Sequence, residues 1–292
     1  MSETTRSEYD VVVAVGPEGV HDGVLDLAVA EAERRQTGLE LLHVVHSLVS
    51  VPVGVEAVQS LDGALTEVGR RVLTSAADRV RSRGGGRVPY TTHLLVGRVS
   101  TTIADRVPPD GVVFLERHDS ADRLLTMSVS TRVAAHAHAA VVVVPAAWRR
   151  GPYEPRPVTV GVDHPDEALA QVETALAFAR DTGRPLVVVH AAWLAEPYQD
   201  LVFGNTTRDE WVHDAEERLD RALAKLPDHA DVDVSTAVDW RRPADALVGA
   251  SLVSAFVVLS RRRERAIGPH LGAVTRTVLR HAAGPVMVVD RT

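Results

Sequence analysis

The sequence contains no cysteine, which excludes disulfides, thiolate zinc sites, iron–sulfur clusters and cysteine nucleophiles. It contains a single lysine, Lys225, and its formal net charge is -7 at pH 7. A surface that tracks nucleic-acid phosphates usually needs a net basic domain, so no nucleic-acid partner is expected. No run of about 18 apolar residues occurs, and charged residues make up 24% of the chain. A membrane-spanning helix is therefore not expected, nor is a membrane partner. Residues Met1 to Asp10 are polar and lack the apolar segment of a secretory signal, and a cytoplasmic location is expected. Also missing are the Gly-x-Ser-x-Gly elbow, the Gly-x-x-x-x-Gly-Lys-Ser/Thr loop and the Gly-x-Gly-x-x-Gly turn, so hydrolase, P-loop and dinucleotide-binding readings lack support.

What the chain does have is one unit written twice. At 292 residues, with roughly 150 per domain, it is long enough for two domains. Val11-Val12-Val13-Ala14-Val15-Gly16 is echoed by Val158-Thr159-Val160-Gly161-Val162-Asp163. Leu41-Leu42-His43-Val44 is echoed by Val188-Val189-His190-Ala191 at the same spacing. Near the ends, Ser128 to Val133 with His136 and Val141 to Val144 matches Ala273 to Val278 with His281 and Val286 to Val289. The repeat divides the chain into 1–147, a Pro- and Gly-containing linker at 148–156, and 157–292.

Within each copy, short β-branched runs alternate with helical patterns. Strands are expected at 11–15, 39–45, 91–96, 111–115 and 141–144, and again at 158–162, 185–191, 231–238, 254–259 and 286–289. A helix is expected over 22–37, with Asp22 as N-cap and Gly38 as C′ residue. Longer helices are expected over 57–82, stopped by Gly84-Gly85-Gly86, and over 207–226, starting near Thr207. Such alternation with short connections implies right-handed crossovers and a parallel sheet. The fold class is α/β, with two tandem doubly wound domains and helices on both faces of each sheet.

Ligands of such sheets bind at the carboxyl ends of the strands, where the strand order reverses. The loops after the first and fourth strands are therefore the candidate sites. In the second copy Asp163 could accept from an adenine amino group or a ribose hydroxyl. Gly268 and Gly272, with the helix start at Ala273, Val274 and Thr275, could bring backbone N–H groups to a phosphate. Arg261, Arg262, Arg263 and Arg265 stand beside them, and guanidinium groups suit phosphate oxygens, although an exposed arginine loop is more often simply solvated.

Taken together, these strand and helix-end motifs resemble the universal stress proteins in their tandem two-domain form, from about Tyr9 to Asp290. The resemblance implies a five-stranded sheet of order 3-2-1-4-5 in each domain and intrachain pairing of the two domains through their fifth strands. It also implies a nucleotide loop of the form Gly-x-x-Gly, nine residues, then Gly-Ser/Thr after the fourth strand, with an aspartate ending the first strand. In the second copy Asp163 and Gly272 match, and Ala191 falls where a backbone contact to adenine is implied. Leu259 and Arg262 stand at the first two glycines, and Ala273 at the Ser/Thr. In the first copy Gly16 replaces the aspartate, Phe114, Arg117 and Met127 replace the glycines, and Ser128 alone fits. The resemblance thus points to weak ATP or other adenine-nucleotide binding in the second domain only. The competing reading is a nucleotide-free interaction scaffold, with a protein partner or a homodimer. Catalysis is not expected, slow ATP hydrolysis being a third reading with no clear general base or metal-binding carboxylate pair behind it.

No metal site is expected either. His136 and His138 lie two apart at a helix end, a spacing that does not bring them to one helical face, and they are read as dipole-facing histidines. His43 and His190 stand at matching places on buried strands and are read as hydrogen-bonded core histidines. Trp193, Tyr198, Trp211 and Trp240 gather in the second copy, where they could line a pocket or an interface, with core burial the commoner fate.

Overall fold

The computed structural model describes residues 6–46, 55–118, 128–149, 151, 156–194, 206–264 and 268–290. Two compact units divide the chain, Met1–Arg150 and Gly151–Thr292.

Unit 1 runs β1 (Val11–Ala14), α1 (Asp22–Arg35), β2 (Leu39–His46), α2 (Val55–Arg83), β3 (Tyr90–Gly97), α3 (Val99–Arg106), β4 (Val112–Arg117), α4 (Val129–His136) and β5 (Ala140–Pro145). Its strands hydrogen-bond in the order β3-β2-β1-β4-β5, and every neighbour is parallel. Val11, Val12, Val13, Leu39, Leu41, Val113, Val141 and Val142 are all fully buried, as the near-continuous apolar runs of these strands require when helices cover both faces.

Unit 2 runs β6 (Val158–Val162), a 3-10 turn (Pro165–Glu167), α5 (Leu169–Asp181), β7 (Leu186–Ala191), α6 (Arg208–Leu223), β8 (Val234–Asp239), α7 (Pro243–Ala250), β9 (Phe256–Glu264), β10 (Gly268–His270), α8 (Ala273–His281) and β11 (Val286–Asp290). The parallel strands follow the order β8-β7-β6-β9-β11. By position within its unit, each sheet is 3-2-1-4-5, as expected. The addition is β10, which pairs antiparallel with the end of β9.

Two helix boundaries differ from the sequence reading. His21, in an extended conformation, takes the N-cap position of α1, and Asp22 is its first helical residue. There Asp22 forms ion pairs with Arg79 and Arg83 of α2. The left-handed residue closing α1 is Gln36, at φ 55°, rather than a glycine. Gly38 serves packing instead, because a Cβ there would lie 2.6 Å from the Tyr9 ring and 2.7 Å from the Pro89 carbonyl oxygen. The other expected signals hold. Gly85 and Gly86 adopt φ of 54° and 74° just beyond α2, which suits residues without a Cβ. Thr207 caps α6 in a reciprocal box, accepting from Glu210 N while the Glu210 carboxylate accepts from Thr207 N at 2.7 Å.

Candidate functional site

Strand order reverses between β1 and β4 in unit 1 and between β6 and β9 in unit 2, so each unit has one crevice at the carboxyl end of its first strand. The two crevices share a foundation. His43 Nδ1 donates to the Val15 carbonyl at 2.8 Å, and His190 Nδ1 donates to the Val162 carbonyl at 3.0 Å. In both, the histidine of the second strand fixes the last turn of the first, as expected of hydrogen-bonded strand histidines.

Above that foundation the crevices diverge. In unit 2, Asp163 follows β6 with its side chain 66% exposed, and His164 Nε2 lies 3.8 Å from its carboxylate. The Gly161 carbonyl beneath it accepts from Gln171 Nε2 at 2.8 Å, and Gln171 Oε1 accepts from Ser260 Oγ at 3.1 Å. This bridge joins α5 to the ends of β6 and β9. Ala191 is the last residue of β7, in register with Asp239.

At α8, Gly272 is the N-cap and no side chain caps the helix. Nothing lies within 4 Å of the place a Gly272 Cβ would occupy. Gly272 and Ala273 are exposed, Val274 is half-buried and Thr275 is buried. Among the described residues, the first amides of α8 therefore have no side-chain acceptor, an arrangement that favours an anion.

The segment between β9 and α8 differs from the expected open loop. β9 continues through Glu264 and folds back into β10, with Gly268 opposite Glu264 and His270 opposite Arg262. Gly268 and Arg262 thus have their backbones in a hairpin. One cause of the extension is Arg261, which is fully buried in β9 and donates from Nε to Asp290 Oδ1 at 2.5 Å. A guanidinium held in this way has no exposed face for a phosphate, contrary to the role its sequence position suggested. Leu259 is buried as well, 3.1 Å from the place of a Gly161 Cβ. Arg265 lies outside the described residues, and the described part of Arg263 is its backbone.

In unit 1 the equivalent crevice is a cavity of about 600 Å³. The degraded nucleotide motif of this copy carries no sequence signal of the cavity. Gly16 stands where unit 2 has Asp163. A Cβ there would meet the Gly19 carbonyl oxygen at 3.3 Å and His118 Nε2 at 3.6 Å. Glu116, near the end of β4, has its carboxylate 3% exposed and accepts from the His21 backbone N–H at 2.6 Å. The same carboxylate pairs with His21 Nδ1, and with His118 Nδ1 at 3.3 Å. Ser128 caps α4 by accepting from Thr131 N at 3.2 Å, so a hydroxyl already occupies the helix start that is open in unit 2. The neighbouring residues at Phe114 and Arg117 belong to β4, with Phe114 buried, while Met127 lies outside the described residues.

Two further readings resolve. His136 Nδ1 donates to the Arg132 carbonyl at 2.8 Å in the last turn of α4, as expected of a helix-end histidine. The tryptophans of unit 2 are not core residues. Trp193 is 38% exposed with Arg242 stacked 5.6 Å from its ring centre, Arg208 stacks 4.7 Å from Trp240, and Trp211 donates to the Ala192 carbonyl. Tyr198 lies outside the described residues. Among the described residues, no group of three or more His, Asp or Glu side chains is placed to hold a metal ion, and no helix is long and apolar enough to cross a membrane.

Both halves match the family model described as the universal stress protein family, over residues 10–145 and 155–290. The chain belongs to the universal stress protein family, in tandem form. Among its relatives are universal stress proteins of Mycobacterium bovis and Mycobacterium tuberculosis, each 26% identical over 97% of this chain and 95% of the relative. A solved universal stress protein from Archaeoglobus fulgidus shares the fold, with a TM-score of 0.66 at 14% identity, covering 99% of this chain and 98% of the other.

Proposed function

We propose that the protein is a binding and regulatory module whose second unit takes one adenine nucleotide weakly, while the first takes none. The observation that carries this reading is the difference between the two helix starts. Gly272 leaves the amides of α8 open to an anion, whereas Ser128 closes those of α4. Asp163, exposed at the end of β6, supplies an acceptor for a ribose hydroxyl or an adenine amino group. Binding is weak because Arg261 is committed to Asp290 and so adds no charge to the phosphate position. In unit 1 the buried Glu116 carboxylate opposes a phosphate at the corresponding place.

The test is a calorimetric titration of nucleotide-free protein with ATP. At most one equivalent per chain is expected, and Asp163→Ala is expected to weaken it about 10-fold to 150-fold, the loss of roughly one hydrogen bond to a charged group. Two equivalents would overturn the assignment.

A second reading, a nucleotide-free interaction scaffold, is favoured by the β9–β10 pairing, which sets the Gly268 backbone opposite Glu264. Under it, neither ATP nor ADP binds saturably and the Asp163→Ala protein is indistinguishable from wild type. Turnover of ATP above the uncatalysed background that vanishes in Asp163→Ala would add catalysis to the first reading and overturn the second.

A further inference from the structure

The cavity of unit 1 is walled by aliphatic side chains from both sheet and helices, among them Val15, Val44, Val68, Val99, Ile103 and Leu115. Its volume, about 600 Å³, falls in the range of small-molecule sites. Among the described residues that line it there is no arginine or lysine, and there are two glutamates, Glu18 and Glu116. Its charges therefore suit the opposite of a nucleotide.

Among the polar atoms that line it is one hydrogen-bond acceptor set in the aliphatic wall, His43 Nε2. His43 is only 6% exposed, and its Nδ1 donates to Val15. In that neutral tautomer Nε2 carries a lone pair. No described residue bonds to Nε2. Among the described residues, the buried side-chain polar atom left without a partner is Thr91 Oγ1. Nε2 therefore reaches accessible space, and the space that His43 borders is the cavity. An acceptor facing an apolar chamber is stabilised by a ligand that donates to it.

Two local features keep this geometry in place. Gly69 lets α2 approach the ring, since a Cβ there would lie 2.7 Å from His43 Cδ2. Gly16 lies beside His118, which together with His21 holds the Glu116 carboxylate, and a Cβ there would press on the Gly19 carbonyl oxygen at 3.3 Å. The missing aspartate and the new carboxylate are thus parts of one altered site.

We propose that unit 1 binds a neutral, largely apolar small molecule that carries one hydrogen-bond donor, a hydroxyl or an amide N–H, and excludes phosphorylated ligands. The probes are three molecules on one ring frame: 2-naphthol, its methyl ether and 2-naphthyl phosphate, each followed by calorimetry or intrinsic fluorescence on the full chain. Saturable binding of 2-naphthol at one equivalent is expected, with the methyl ether about 3-fold to 10-fold weaker for loss of the donor and the phosphate not bound at this site. Val99→Trp on α3 and, separately, Leu65→Trp on α2 fill the cavity from its walls and are expected to abolish 2-naphthol binding. Asp163→Ala in unit 2 leaves it unchanged.

The proposal is overturned by any of three results. One is the absence of saturable 2-naphthol binding to wild type. Another is binding that survives both tryptophan substitutions in proteins whose far-ultraviolet circular dichroism matches wild type. The third is a phosphate or methyl ether that binds as tightly as the naphthol. The comparison of the three probes on wild-type protein does not depend on how well either variant folds. Its outcome is also separate from the ATP assignment, which is read through Asp163 in unit 2.

Discussion

Glu40 shows how a single residue departs from an otherwise apolar pattern. It lies fully buried in β2, where Arg106 of α3 grips it with two hydrogen bonds, Nε to Oε1 at 2.8 Å and Nη2 to Oε2 at 2.9 Å. His93 Nδ1 stands 3.5 Å from the same carboxylate. Removing one partner strands the other charge in the core, so Arg106→Met is expected to lower the stability of unit 1 by about 3–5 kcal/mol. Urea unfolding measures this, and a loss below about 1 kcal/mol would show that the pair behaves like a surface bridge. Val187 holds the matching place in the second copy, so only one unit should be sensitive.

Glu31 offers a pH test at the same scale. Burial raises its carboxyl pKa, but hydrogen bonds and charge from Arg34 and Arg35 outweigh that, and the net shift is downward. A carboxyl depressed in the folded state contributes stability above its unfolded value, about 4.3, and the contribution is lost as pH falls through the folded value. Glu31→Gln should therefore destabilise at pH 7 and lose that effect as the solution is acidified below pH 4 or so. An equal penalty at neutral and acid pH would contradict the assignment. Glu40 was not legible in the sequence, because a glutamate in an apolar strand does not reveal which distant arginine will meet it, whereas Glu31 has its partners three and four residues on in the same helix. His43 and His190 were legible, since their matched positions on buried strands left a backbone carbonyl as the natural partner.

At the scale of elements, the strands were legible almost throughout, because a parallel sheet covered on both faces writes itself as β-branched runs. Helix starts were legible where a capping residue had its partner in the local sequence. Thr207 and Glu210 are such a case, and Thr207→Ala is expected to cost α6 about 1 kcal/mol, read as earlier melting or faster amide exchange in that helix. Helix ends governed by packing were not legible. Gln36 takes a left-handed conformation because Gly38 is already committed to the close approach of Tyr9 and Pro89. The β9–β10 hairpin was missed for a related reason, since a run of arginines reads as a solvated loop until one of them, Arg261, is found buried against Asp290.

Gly69 carries an element-scale prediction for unit 1. A Cβ at this position would lie 2.5 Å from Leu94 Cδ1 as well as against His43. Gly69→Val is expected to push α2 from the sheet and cost about 1–3 kcal/mol, as overpacking of a filled core does. Thermal unfolding measures it, and a neutral substitution would mean that α2 does not rest on β2 and β3 as described.

For the whole molecule, duplication explains why the fold was readable twice over while the sites were not. The two sheets keep one strand order and one histidine-to-carbonyl bond, and those features are fixed by strand patterns local enough to survive divergence. The crevices above them differ in the residues at the strand ends and helix starts: Gly16, Glu116 and His118 in one unit, Asp163 and Gly272 in the other. Motif matching detected the second set because it compares positions with a pattern. It could not detect the cavity in the first, which depends on what replaced the pattern.

The division of labour between the two crevices is tested most directly by counting ATP equivalents on nucleotide-free protein, alongside Asp163→Ala and Glu116→Gln variants. The expected result is at most one weak equivalent per chain, diminished by Asp163→Ala and left in place by Glu116→Gln. Two equivalents, or one that is retained undiminished with Asp163→Ala, would contradict the account.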